Sequence, residues 1–194
     1  YNSEETFKTM EEELALLKKT GFNTVRIILA FVVWQKEHDG FMARFERFLD
    51  LLDKHGVTAM VVLASDCMPP KNEYWKMPDV GPQEFAIGYH GGKKRGQHSR
   101  HPGASPHFYL DDPQLREEYY EMVREIVTTY KHDPRICIWD VYNEPGHSNR
   151  DELTPDRIRE MFELVRSIDP DQPLTACVHR IREDDTVPLS EVEH

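Results

Sequence analysis

No stretch of the 194 residues is long and apolar enough to span a bilayer, and no basic-then-apolar leader stands at Tyr1, so no membrane partner is expected. Basic charge is scarce as well, with 24 Lys and Arg against 35 Asp and Glu and a formal net charge of −11. Binding to a phosphate backbone rests on many Lys and Arg contacts that release counterions, so no nucleic-acid partner is expected, whereas neutral glycans remain compatible. Cysteine is sparse. Cys67, Cys137 and Cys177 are odd in number and far apart, and two of them fall inside apolar stretches, which predicts buried thiols rather than a disulfide framework or a metal site. Neither a phosphate-cradling glycine loop nor a nucleophile-elbow pentapeptide occurs. His90, His98, His101 and His107 match none of the usual zinc spacings, so the sequence implies no metal and no cofactor.

What the chain does contain is the run Arg135-Ile136-Cys137-Ile138-Trp139-Asp140-Val141-Tyr142-Asn143-Glu144-Pro145. A nearly continuous apolar run rich in Ile, Val, Trp and Tyr predicts a strand buried on both faces, as in a parallel sheet. It ends in an amide, a carboxylate and a proline that forbids the ladder to continue. In a parallel α/β barrel, chemistry is assembled where strands finish, which makes Asn143 and Glu144 candidates for reacting groups.

The segment Trp139-Asp140-Val141-Tyr142-Asn143-Glu144-Pro145, with Arg26 in Thr24-Val25-Arg26-Ile27-Ile28, resembles the signature of the clan A glycoside hydrolases, the cellulase-like barrels of the family 5 and family 2 kind. The resemblance implies a (β/α)8 TIM barrel and a retaining mechanism on β-linked sugars. Glu144 would be the general acid/base, Asn143 the partner of the sugar 2-hydroxyl, and Arg26 the strand-two arginine that keeps the nucleophile ionised.

The remaining pattern suits such a barrel. Phe7, Met10, Leu14 and Leu17 fall at helical spacing over 6–20, with Gly21 where a C-cap belongs. A buried strand over 22–30 follows, then a loop carrying Phe31, Trp34, Gln35 and Glu37. The second helix aligns Phe41, Phe45, Phe48, Leu49 and Leu52, ends at Gly56 and leads into a strand over 57–64. Leu16-Leu17-Lys18-Lys19-Thr20-Gly21-Phe22 resembles Leu51-Leu52-Asp53-Lys54-His55-Gly56-Val57, so one helix-Gly-strand unit is used twice.

Residues 65–111 form a long insertion with little periodicity, expected to lie over the active face. Asp112 and Pro113 open a helix with Leu115, Tyr119, Met122, Val123, Ile126 and Tyr130 on its apolar face. The Asn-Glu-Pro strand follows. Thr154-Pro155 opens the next helix and Asp169-Pro170 closes it, and a last strand runs over 174–178. These four strands resemble strands two to five of the clan, and residues 1–194 read as a single partial barrel, since a complete one needs about 250 residues.

Glycosidic cleavage needs a protonated carboxyl group at the leaving oxygen and a second carboxylate about 5 to 5.5 Å away in retaining enzymes. Glu144 suits the first role. Glu191 and Glu193 follow the last strand too closely for the second, so the nucleophile is expected outside this chain. Asp140 and Glu144 share strand parity, which predicts one face for both and a buried contact between Arg26 and Asp140. Trp34, Asp66, His107, Tyr142 and His147 are candidates for the sugar site, together with Trp75, Phe108 and Tyr109, because aromatic faces suit pyranose rings and polar groups suit hydroxyls. The clan's strand-three histidine is replaced by Leu63-Ala64-Ser65-Asp66-Cys67, so the sugar is left open. A carbohydrate-binding barrel without turnover is the alternative reading.

Overall fold

The computed structural model of the chain describes residues 4–65, 80, 107–145 and 154–177. Helices and strands alternate among them: α1 (Glu4–Lys19), β1 (Thr24–Ile28), α2 (Phe31–Lys36), α3 (His38–Lys54), β2 (Thr58–Val62), α4 (His107–Leu110), α5 (Pro113–Tyr130), β3 (Ile136–Asn143), α6 (Thr154–Ile168) and β4 (Leu174–Cys177). The four strands form one sheet in chain order, β1-β2-β3-β4, and every pairing is parallel. Sequential parallel strands joined through helices are the arrangement of a (β/α)8 barrel, of which these are four units.

The repeated helix-Gly-strand unit has a common physical cause. Gly21 and Gly56 adopt positive φ, 94° and 61°, where a Cβ would be strained. Each lets the next residue turn back onto its helix: Phe22 N–H donates to Leu17 O at 3.2 Å, and Val57 N–H to Leu52 O at 3.0 Å. Both helices therefore end in the same glycine-centred cap and release the chain toward a strand. Asp112 caps α5 as its sequence predicts, accepting from the Gln114 and Leu115 backbone amides at 3.0 and 3.4 Å.

One face of the sheet packs on the helices. Ala59, Val61, Trp139 and Val141 bury against Leu49 and Leu52 of α3, Met122 and Ile126 of α5, and Met161 and Val165 of α6. Trp139 is wholly buried and satisfies its indole N–H on Gln172 Oε1 at 2.9 Å. Gln172 in turn donates to the carbonyls of Tyr130 and Asp133 at 3.0 and 2.9 Å. One amide thus joins the end of α5, the turn before β3 and β3 itself. At the same end of the sheet Arg135 reaches Asp133, Asp50 and Glu46, fastening α3 to the start of β3.

The opposite face carries the register row Arg26, Met60 and Ile138. Arg26 is exposed and its two partners are half-buried. In a closed barrel this row faces the interior. The strand expected over 22–30 is shorter and less buried than its sequence suggests, with Phe22 63% and Ile28 42% exposed, because β1 is an edge strand among the described residues. The expected loop after it is the short helix α2 instead, and the expected insertion over 65–111 contains the four-residue helix α4 at its end. No helix among the described residues is long and apolar enough to cross a membrane.

Candidate active site

Two residues of β3 converge on the guanidinium of Arg26 from β1. Its Nε donates to Asp140 Oδ2 at 3.1 Å, its Nη2 donates to the same oxygen, and Nη2 also reaches Asn143 Oδ1 at 2.5 Å. The sequence-expected contact between Arg26 and Asp140 is present, but its burial is uneven, with side-chain exposures of 37% for Arg26 and 1% for Asp140. Arg26 is not the buried cation expected from an apolar strand. Burial pushes the Asp140 carboxyl above the ordinary range, against the pull of Arg26 and of the backbone amides of Tyr142 and Cys177.

Asp140 and Asn143 lie three residues apart on one strand and would point to opposite faces under strict alternation. They meet the same guanidinium because β3 is irregular there: Asp140 pairs with Thr175 and Tyr142 with Ala176, which leaves Val141 as an extra residue against β4. The bulge corrects the parity argument from sequence. Asn143, rather than Glu144, shares the face of Asp140.

Glu144 follows the last residue of β3 with φ of +50°, a left-handed conformation uncommon for a side chain of its size. Its backbone N–H donates to Cys177 O at 2.7 Å, and the residue is half-buried. Pro145 is buried behind it. The strand end is therefore held from β4, with Glu144 half-buried after it.

The other candidates separate. Tyr142 is a core residue with no exposed surface, so it is not the sugar-contacting aromatic the sequence suggests. Tyr109 is 2% exposed and wedged between Phe31 and Tyr119, with ring centroids 4.7 and 5.9 Å away. Burial pushes its phenol above its ordinary range. Trp34 lies on α2, where its indole N–H donates to Glu125 Oε2 of α5 at 2.7 Å and its ring stacks on Phe31 at 6.1 Å. These contacts bind one helix to another. His107 occupies the first position of α4. Asp66, Trp75 and His147 lie outside the described residues. Cys177, expected to be buried, is exposed at the end of β4, and Cys137 is half-buried with its thiol on Ala59 O at 3.3 Å.

Ser65 was not singled out by the sequence. It is 3% exposed, pairs with Asn143 in an isolated parallel bridge beyond β2, and accepts from Asn143 Nδ2 at 2.9 Å. A serine three residues past a buried strand carries no local signal, since only the neighbouring strand makes it part of the site.

Comparison with known proteins defines the class. The family 5 mannosidase of Rhizomucor miehei superposes with a TM-score of 0.58 at 15% identity, covering 90% of this chain and 47% of that one. The shared fold is the TIM barrel of the clan A glycoside hydrolases, here in part. The β-galactosidase of Heyndrickxia coagulans is 27% identical over 149 residues, 75% of this chain and 21% of that protein. The β-glucuronidase of Bacteroides fragilis is 21% identical over 167 residues, 86% of this chain and 17% of that protein. The chain thus spans about a fifth of these two relatives and under half of the solved barrel. The glycoside hydrolase 42 model, described as β-galactosidase, matches residues 1–171, and the chain belongs to that family.

Proposed function

We propose that this chain is part of a retaining glycoside hydrolase that cleaves β-linked glycosidic bonds in an oligo- or polysaccharide, with Glu144 as general acid/base. The observation that carries the reading is the hydrogen-bonded group of Arg26, Asp140 and Asn143 at the end of β3, directly before Glu144. Such a group holds an amide rigidly before a carboxyl group and supplies a cation that can keep a second carboxylate ionised, as cleavage through an oxocarbenium-like transition state requires. Membership of a glycosidase family and the β-galactosidase and β-glucuronidase relatives support a β-linked sugar as substrate.

In this mechanism Glu144 protonates the leaving oxygen while a second carboxylate attacks the anomeric carbon, forming a glycosyl-enzyme ester. Glu144 then takes a proton from the water that hydrolyses the ester, and the configuration is retained. The second carboxylate is proposed to come from residues outside this chain. Arg26, whose guanidinium keeps an open side, would pair with it there.

The test is Glu144→Ala in the whole protein. Turnover of substrates with poor leaving groups should fall by at least about a thousandfold, whereas an activated dinitrophenyl glycoside, which needs no protonation, should keep its first step. Added azide should restore turnover and yield the β-glycosyl azide. Full activity of Glu144→Ala on unactivated substrates would overturn the assignment. Glycan binding by the unaltered protein without turnover of any β-linked sugar would favour the non-catalytic barrel.

A further inference from the structure

The polar chain at the rim does not end at Asn143. Its Oδ1 faces the Arg26 guanidinium, which has only donors, and its Nδ2 faces the Ser65 hydroxyl oxygen. The Arg26 contact alone fixes the orientation of the amide, because a hydroxyl can accept from its NH2 group or donate to its oxygen. A flipped Asn143 would set its NH2 group against Arg26 and its carbonyl oxygen against Ser65.

The segment that carries Ser65 is itself pinned. Leu63 N–H donates to Asp140 O at 2.9 Å, Leu63 O accepts the Tyr119 hydroxyl at 2.7 Å, and Asn143 N–H donates to Ala64 O at 2.8 Å. Ser65 and Asn143 are 3% and 4% exposed, so water competes little for their bond. A hydroxyl on a rigid, dry backbone can hold its partner within the narrow tolerance that a reacting group needs.

We propose that Ser65 is a positioning residue for the reaction assigned to this site. It acts through Asn143 by holding in place the amide whose orientation Arg26 sets, and this leaves the second Nδ2 hydrogen as the one donor that Asn143 has to offer a substrate hydroxyl. Asn143 is thereby fixed as a donor rather than an acceptor toward the sugar. The inference rests on the glycosidase reading, and nothing in the local sequence Leu63-Ala64-Ser65 announces it.

The experiment is a double-mutant cycle in the whole protein with an aryl β-glycoside whose turnover the unaltered enzyme supports. Ser65→Ala should lower kcat/KM about three- to tenfold, the worth of one neutral hydrogen bond, mainly through kcat. In the Asn143→Ala background the same change should have no further effect. The side-chain amide of Asn143, observed by NMR, should exchange its hydrogens faster in Ser65→Ala while the unfolding midpoint stays close to that of the parent. Equal effects of Ser65→Ala in both backgrounds, or unchanged exchange at Asn143, would overturn the proposal. Glu144→Ala, assayed in parallel, separates the two claims. If it is inactive and Ser65→Ala behaves as the parent, only the role of Ser65 fails. If Glu144→Ala is fully active, the acid/base assignment of Glu144 fails, and exchange at Asn143 still decides whether Ser65 holds the amide.

Discussion

The backbone N–H of Glu144 donates to the Cys177 carbonyl at 2.7 Å, so the residue after β3 is tied to the last residue of β4 while its own φ stands at +50°. That tie over-determines a conformation in which any Cβ is strained. The rim keeps a side chain in this conformation at the expense of local stability.

Comparison of two substitutions reads this strain directly. Glu144→Gly should be more stable than Glu144→Ala by about 1 kcal/mol, although glycine ordinarily loses such comparisons through its flexible unfolded chain. Urea unfolding checks it. Alanine equal to or better than glycine would show that the left-handed backbone is not kept.

Asp140 predicts a dependence on pH. Its carboxyl is raised above the ordinary range by burial, more than Arg26 lowers it. An acid whose folded pKa is raised adds stability that is full below its unfolded value, about 3.9, and is lost as pH rises through the folded value. Asp140→Asn lacks that loss. Whatever constant offset the substitution brings, the stability difference should move in favour of asparagine as pH is raised from about 4 toward 7. Unfolding free energies across that range test it, and a difference that is flat or moves the other way would refute it.

Gln172 predicts a large effect remote from the rim. Its amide satisfies the Trp139 indole and the carbonyls of Tyr130 and Asp133. Gln172→Ala leaves the Trp139 indole N–H unpaired at a largely dry site and takes one of two hydrogen bonds from each carbonyl, and should cost about 2 kcal/mol. The denaturation midpoint should fall without a change in slope. A loss under about 1 kcal/mol would show that water replaces the amide.

Arg26 tests the rim chemistry. Lysine keeps the charge but cannot span Asp140 and Asn143 together, so Arg26→Lys in the whole protein should lower kcat/KM about a hundredfold on β-linked substrates. Thermal unfolding measures what the same change does to stability. Steady-state kinetics beside thermal unfolding separates the two effects, and activity within about threefold of the parent would remove Arg26 from the machinery.

Much of the architecture was legible because its signals are local. Gly21 and Gly56 at the end of matching segments specify the same cap twice, and Asp112-Pro113 marks a helix start through groups that lie within one turn. The apolar run ending in Asn143-Glu144-Pro145 marks a buried strand with a polar tip, and it is the feature by which the clan resemblance was drawn. Tyr142 misled, and the helix contact of Trp34 was not foreseen, since an aromatic near a strand end has the same local appearance whether it meets a ligand, a carboxylate on another helix or the core. Only Glu125 on α5, distant in sequence, distinguishes the case of Trp34.

By itself the chain's order of residues determined which segments become helices and strands, where they stop, and that Arg26, Asn143 and Glu144 belong near strand ends. Tertiary structure alone decided which of them touch. Side-chain alternation has a period of two and is fixed within a strand, but a bulge such as that at Val141 arises from how β3 registers with β4, and it sends Asn143 to the face of Asp140. The same long-range register brings Ser65 to Asn143.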